Sequence, residues 1–473
     1  MPRRAAHPDD HASHQFVPEG PKPAKRVPFP GPRGIAALRV IDQIRRDPLP
    51  VLDPLHQRWG DRIGVSALRY RFVLLSAPDD IEALLVGGAK DTMKALGLRQ
   101  GRWMMGGQLL VAEGEAHARQ RAILASTFAR RQVDAYVDDF AEQAEVCCAR
   151  WSDGATFEAE RAMGDLDLAA ASRTMFGGMV DGAEADAVTE ALETCVHAFP
   201  LAMHPMRGVI DTLGLPPKGR IKRSVRVLNR TVKRLLDDGR ARIARGEPSG
   251  HALAQLLEHH YRDDMSESEY DLLIDEVRGL LLGGHETLAR SLAWGLHLLA
   301  EHPDVLARIR AEVEEVCGDE LIRASHVEQL HEARRAFQET IRLYPAGGLH
   351  VRETQRPVRL DEDTVLDPGL QVAVPVWLVH RDPRWWPEPE RFDPDRFIDP
   401  DPDRPRWAYS PWGGGARVCI GQWYATVLGT ILIATVARRW QLEVAPESRA
   451  EAVSIFTVRS RHGLPLVARA LAD

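Results

Sequence analysis

The chain has 473 residues, 44% of them hydrophobic, and a formal net charge of −7. That composition supports a large core, and its mild acidity excludes the basic footprint of a nucleic-acid-binding domain. The five cysteines (Cys147, Cys148, Cys195, Cys317 and Cys419) are odd in number, irregularly spaced and without a CxxC pair; this excludes a disulfide framework and a zinc site and fits a reducing compartment.

The first 34 residues are rich in Pro, His and charge and read as a disordered arm, 1–34, ahead of a single domain over 35–473. Arg3-Arg4 is followed by no apolar segment, so it is not a twin-arginine export signal. No stretch reaches the roughly 18–20 apolar residues of a membrane span, and a cytoplasmic location is expected. Ordered structure is expected from near Gly31. A helix over 48–60 ends at Gly60, Arg62–Ser66 and Arg71–Ser76 alternate as a hairpin, and Pro78-Asp79-Asp80 opens another helix. Residues 87–110 lack a period and form a long ordered loop, a feature that is usually functional inside a compact domain. Helical patterns follow over 114–131, 134–151, 159–176 and 184–198, then a mobile apolar loop over 199–217 and a basic amphipathic helix over 218–245. One long pattern covers 267–301, interrupted by Gly283-Gly284, and helices at 303–317 and 325–344 come next. After Pro345, residues 350–375 alternate as short strands and 381–411 are irregular and dense in Pro, Asp, Arg and Trp. A helix at 421–440 and strands near 441–445 and 463–468 close the chain. The fold class is mainly α: one helical domain with a minor sheet.

Four constellations carry chemistry. Trp412-Gly413-Gly414-Gly415-Ala416-Arg417-Val418-Cys419-Ile420-Gly421 places a lone cysteine in a glycine-rich loop ahead of a helix. The helix dipole and nearby backbone N–H groups favour a thiolate there, either a nucleophile or a metal ligand. Glu339 and Arg342 share a helical face. Many other Glu-x-x-Arg pairs occur in the chain, but the flanking Phe337, Ile341, Leu343 and Tyr344 would bury this one, and the 381–411 segment would supply its further partners. Gly283-Gly284-His285-Glu286-Thr287 lies mid-helix, where each glycine costs roughly 1 kcal/mol against alanine. Thr287 can bond back to the Gly283 carbonyl and widen the helix, leaving a groove with a hydroxyl and a carboxylate suited to proton delivery. Ala289 stands where a zinc-protease HExxH motif needs histidine, so that reading is rejected. His117 and Arg121, at i and i+4, suit a carboxylate or phosphate.

Together these residues closely resemble the cytochrome P-450 family. Its haem-ligand signature reads here Trp412-x-x-Gly415-x-Arg417-x-Cys419-x-Gly421, with Trp where the family usually has Phe. Glu339/Arg342, Pro389-Glu390-Arg391-Phe392, Gly283-Gly284-x-Glu286-Thr287 and His117-x-x-x-Arg121 match its other motifs in order, with coverage from about residue 35 to the C-terminus. The resemblance implies haem b with Cys419 as iron ligand and Trp412, Gly415 and Gly421 shaping the loop. It implies that Arg417, His117, Arg121 and Arg352 hold the propionates, and that Glu339, Arg342 and Arg391 lock the proximal core. Glu286 and Thr287 would relay protons in a monooxygenation. The pocket would draw on Met104, Met105, Leu280, Gly283, Leu349 and Phe456, for an apolar terpenoid, fatty acyl chain, steroid or polyketide that is hydroxylated or epoxidised. No flavin or iron–sulfur module follows the domain, so NAD(P)H would act indirectly, through a ferredoxin and its reductase or a flavodoxin. The donor's docking face is expected at Arg119, Arg130, Arg131, Arg334 and Arg335. A monomer is expected. Oxidative coupling, C–C cleavage and a catalytically silent haem- or ligand-binding protein are the competing readings.

Overall fold

The computed structural model describes residues 20–68, 70–177, 180, 182–202, 218–246, 251–260, 265–399, 401–454 and 456–471. Its helices gather around one 35-residue helix, Glu267–Glu301. Ser266 starts it with a capping box, its hydroxyl accepting from the Glu269 N–H while the Glu269 carboxylate accepts from the Ser266 N–H at 2.9 Å. At about 1.5 Å per residue the helix is roughly 50 Å long. It runs unbroken through Gly283-Gly284, where an interruption was expected. Ala159–Phe176, Lys218–Ala244, His331–Leu343 and Gln422–Arg439 pack along it. Trp294, fully buried on its inner face, stacks on Tyr344 with ring centroids 3.7 Å apart.

Most expected helices are present: Ala159–Phe176 and Pro303–Cys317 with the expected ends, and Leu49–Trp59, Gly182–Ala202, Lys218–Ala244 and Gln422–Arg439 with slightly shifted ones. The pattern over 114–131 divides into Gly114–Ala125 and Arg130–Asp134, and that over 325–344 into Ala324–Val327 and His331–Leu343. The expected loop over 87–110 resolves into a strand, Thr92–Lys94, and two short helices, Leu96–Gln100 and Arg102–Met105. Of the apolar loop expected over 199–217, residues 199–202 continue the preceding helix and 203–217 lie outside the described residues.

The main sheet has five strands in the spatial order Arg62–Ala67, Tyr70–Leu75, Gln371–Val374, His350–Thr354, Thr92–Lys94. Tyr70–Leu75 and Gln371–Val374 run parallel, and the other neighbours antiparallel. The last pairing sets Lys94 directly opposite Arg352. Part of the expected arm is folded against this sheet. Residues 1–19 lie outside the described residues, but Ala24 and Phe29 are buried beside Val73, Leu75 and Leu370. The Gly64 and Ser66 N–H groups donate to the Pro30 and Pro32 carbonyls at 2.8 and 3.1 Å. Proline lacks the donor a ladder needs but keeps its carbonyl, so a Pro-rich stretch can border a strand without showing a strand pattern.

Candidate active site

The cysteine loop is shaped by its own backbone. Gly413 and Gly415 take φ of 68° and 62°, and the Cys419 N–H donates to the Trp412 carbonyl at 2.9 Å. A Cβ on Gly415 would meet the Leu85 carbonyl oxygen at 2.1 Å, so the neighbouring backbone itself requires a glycine there. At Gly421, which precedes the helix Gln422–Arg439, the nearest side-chain atom to an added Cβ is on Phe128 at 3.9 Å. Cys419 is enclosed by protein on most sides yet exposed on the remaining one, unlike the four other cysteines, which are buried. Enclosure raises its thiol pKa, while the Gly421 N–H and the Arg121 charge act the other way.

Beside the loop lies a buried cationic cluster. Arg352 and Lys94 sit side by side on paired strands, Arg121 donates to the Val418 carbonyl at 2.8 Å, and Arg417 donates to the Ala112 carbonyl at 2.9 Å and pairs with Glu113. His117 and His350 complete it. Burial and mutual repulsion push Lys94 down to about 7, Arg352 to about 10, His117 to about 3 and His350 to about 4. Among the described residues, four cations thus face one carboxylate, Glu113. Lys94, His350 and Glu113 were not singled out in the sequence. The strand carrying Lys94 is only three residues long, and its partner lies more than 250 residues away.

On the central helix, the Thr287 hydroxyl donates to the Gly283 carbonyl at 2.8 Å, as its spacing predicts. A Cβ added to Gly283 or Gly284 would meet no atom within 4 Å, so the helix borders open space on this side. Glu286 points elsewhere. Its carboxylate accepts from Arg290 at 3.1 and 3.3 Å and from the Thr457 hydroxyl at 2.9 Å, and Arg290 also reaches Glu160 at 2.9 Å. Burial alone would raise Glu286, but Arg290, Thr457 and His285 outweigh it and hold its carboxyl below the usual range.

Glu339 and Arg342 are completely buried and joined by two hydrogen bonds of 2.6 and 2.8 Å. The rest of the Arg342 fork donates to the carbonyls of His380, Pro389 and Arg391 at 2.7, 2.8 and 3.2 Å, and the Asp393 N–H donates to Glu339 at 3.0 Å. The 381–411 segment supplies most of these partners, as expected, but Arg391 does so with its backbone. Its guanidinium is exposed and pairs with Glu388, while Arg396 approaches Glu339 at 3.3 Å.

Of the expected pocket residues, Met104 and Met105 are buried and flank a small internal cavity with Gln108, Cys195, Leu228, Arg278 and Leu282. Leu280, Phe456 and Trp412 pack against the main core, and Leu349 joins a separate cluster with Val51, Trp59 and Phe72.

Residues 29–461 match the family model described as Cytochrome P450. The chain belongs to the cytochrome P450 family. It is 30% identical over 419 residues to cytochrome P450 132 of Mycobacterium tuberculosis, covering 84% of this chain and 88% of that one. It is 29% identical over 410 residues to the cyclooctat-9-en-7-ol 5-monooxygenase of Streptomyces melanosporofaciens, with coverage of 85% and 86%. It is 28% identical over 364 residues to the pentalenene oxygenase of Streptomyces avermitilis, with coverage of 76% and 78%. A solved structure of retinoic-acid-bound cyanobacterial CYP120A1 superposes with a TM-score of 0.79 over 94% of this chain and 100% of the other, at 22% identity, which shows the fold. Like its family, this P450 is a haem-dependent monooxygenase. The residues present fit that group: the cysteine sulfur is open though enclosed, and the cation cluster is short of the two negative charges that haem propionates carry. Among the described residues, no helix is long and apolar enough to cross a membrane.

Proposed function

We propose that this P450 inserts one atom of dioxygen into an apolar small molecule, a terpenoid first, by hydroxylation or epoxidation. The reading rests above all on the open, enclosed Cys419 beside an uncompensated cation cluster. In it, Cys419 ligates the iron of haem b, and Arg417, His117, Arg121, Arg352 and Lys94 hold the propionates. When bound, a thiolate-ligated haem supplies the electron push that favours O–O cleavage. The chain's own groups do the rest. The Gly421 N–H lowers the charge density on the Cys419 sulfur. Gly283 and Gly284 keep side chains out of the space beside the central helix, and Thr287 carries a hydroxyl there. Glu286 moves protons toward that hydroxyl. Met104, Met105, Leu280, Leu349 and Phe456 exclude water from the pocket.

The terpenoid class is favoured by relatives named for cyclooctat-9-en-7-ol and pentalenene oxygenation. Electrons come from a separate ferredoxin- or flavodoxin-type donor in the cytoplasm. For its docking, Arg119 and Arg131 are exposed and Arg130, also exposed, pairs with Glu328, whereas Arg334 and Arg335 are half-buried and engaged with the Val327 carbonyl and with Glu332. The face is therefore narrower than the five arginines suggested.

The test is the absorption of the reduced, carbon-monoxide-bound protein. The wild type should give the thiolate-type band and Cys419→Ala should lose it; a band that survives the substitution sinks the reading. Titration with pentalenene and cyclooctat-9-en-7-ol, followed by the haem spectrum, tests the substrate class. Charge reversal at Arg119 and Arg131 should slow reduction by a ferredoxin, and unchanged reduction refutes the docking face.

A further inference from the structure

The hairpin formed by Ala452–Ser454 and Val458–Ser460 reaches the central helix at the one acid expected to handle protons. Its tip residue Thr457 is 2% exposed and donates its hydroxyl to Glu286 Oε1 at 2.9 Å, the same oxygen that accepts from Arg290 Nε at 3.1 Å. A second link runs alongside the first. The Ser460 N–H donates to Glu160 Oε1 at 2.9 Å, and Glu160 Oε2 accepts from Arg290 Nη1 at 2.9 Å. Glu286 is therefore held between a cation anchored by Glu160 and a neutral hydroxyl on the hairpin. Successive helical residues point about 100° apart, so this arrangement aims the carboxylate away from the Thr287 side of the helix. With Arg290 alone, the carboxylate would be locked in an ion pair. The Thr457 hydroxyl can both donate and accept, so it shares Oε1 without adding charge. Phe456, next along the same tip, packs partly buried against the core.

We propose that Thr457 is a positioning residue for proton delivery: it shares Glu286 Oε1 with Arg290, so the carboxylate is held off a full ion pair and can turn from there toward Thr287, and hairpin and central helix set the proton supply together. The inference rests on the monooxygenase reading above. Proton supply decides the fate of dioxygen. Insertion follows RH + O2 + 2 H+ + 2 e− → ROH + H2O. Without substrate, full reduction follows O2 + 4 H+ + 4 e− → 2 H2O, and the leak follows O2 + 2 H+ + 2 e− → H2O2. The electrons in each case come from the ferredoxin-type donor.

The experiment uses the full-length, haem-loaded protein with a plant-type ferredoxin and its reductase, without substrate. It measures NADPH consumed against peroxide released, in H2O and D2O. Thr457→Val should raise the peroxide fraction about two- to fivefold, short of the roughly hundredfold or larger cost of losing a general acid outright. It should also enlarge the solvent isotope effect, and Thr457→Ser should restore both. Glu160→Gln frees Arg290 to hold Glu286 more tightly and should shift the peroxide fraction in the same direction, an arm that stands if the valine variant fails to fold. Wild-type peroxide fractions in both Thr457→Val and Glu160→Gln, or a serine variant no better than valine, overturn the proposal. An intact carbon-monoxide band in these variants separates that outcome from failure of the monooxygenase reading, which would abolish the band in the wild type.

Discussion

Two buried charge clusters in this P450 look alike in composition and differ in balance. Around Glu339 and Arg342, the guanidinium fork and both carboxylate oxygens have partners within the protein. Around Lys94, Arg121, Arg352 and Arg417, one carboxylate among the described residues answers four cations, and burial and mutual repulsion lower the pKa values of Lys94, Arg352 and Arg417. A saturated cluster serves the fold; an unsaturated one anticipates a ligand. Buried charge is expensive unless paired, so the imbalance is tolerated where something of opposite sign arrives later.

That contrast can be broken most severely at its balanced end. Glu339→Ala leaves the buried Arg342 without its counter-ion and should cost about 3–5 kcal/mol, read as a collapse of the urea midpoint with or without haem. Gly415→Ala should follow at roughly 1–3 kcal/mol, because it combines a left-handed φ with a clash against the Leu85 carbonyl. Arg352→Leu separates the two clusters by sign. It should weaken haem retention by about tenfold or more, as loss of an outer cofactor contact does, yet raise the thermal midpoint of the haem-depleted protein by relieving repulsion.

Acidity gives a finer test. Lys94 titrates near 7 in the folded, haem-free protein and at its ordinary, higher value when unfolded. Below pH 7 both states are protonated and the penalty is complete. Between about 7 and 10.4 the unfolded chain binds more protons, so stability should rise with pH by up to about 1.4 kcal/mol per unit. Lys94→Met should flatten that slope in denaturant titrations of the haem-depleted protein. Smallest of all, Arg391→Ala should stay within about 0.5 kcal/mol, because its side chain is exposed and its pair with Glu388 lies at the surface.

The balanced cluster was largely readable from sequence, since apolar neighbours at helical spacing reveal which Glu-x-x-Arg pair is buried. Its one misplaced member, Arg391, acts through a carbonyl that every residue owns, and no side-chain pattern can report that. The unbalanced cluster was half readable. His117 and Arg121 share a helix turn and Arg417 shares the cysteine loop, but Lys94 meets Arg352 only through strand pairing across the chain. The Thr287 bond to Gly283 is local and followed from spacing. Glu286's partner Thr457 is 171 residues away, on a hairpin the sequence pattern did not reveal.

The bond that closes the cysteine loop joins the Cys419 amide to the carbonyl of residue 412. Both atoms belong to the main chain, and the turns beside them are made by glycines. The geometry around the sulfur is thus written in the backbone, and the ring at position 412 is a filling more than a strut. This is how a tryptophan can stand where the family usually carries phenylalanine, and it marks 412 as a position open to drift and to redesign: Trp412→Phe should keep the loop's shape, while a glycine three residues on has no such latitude.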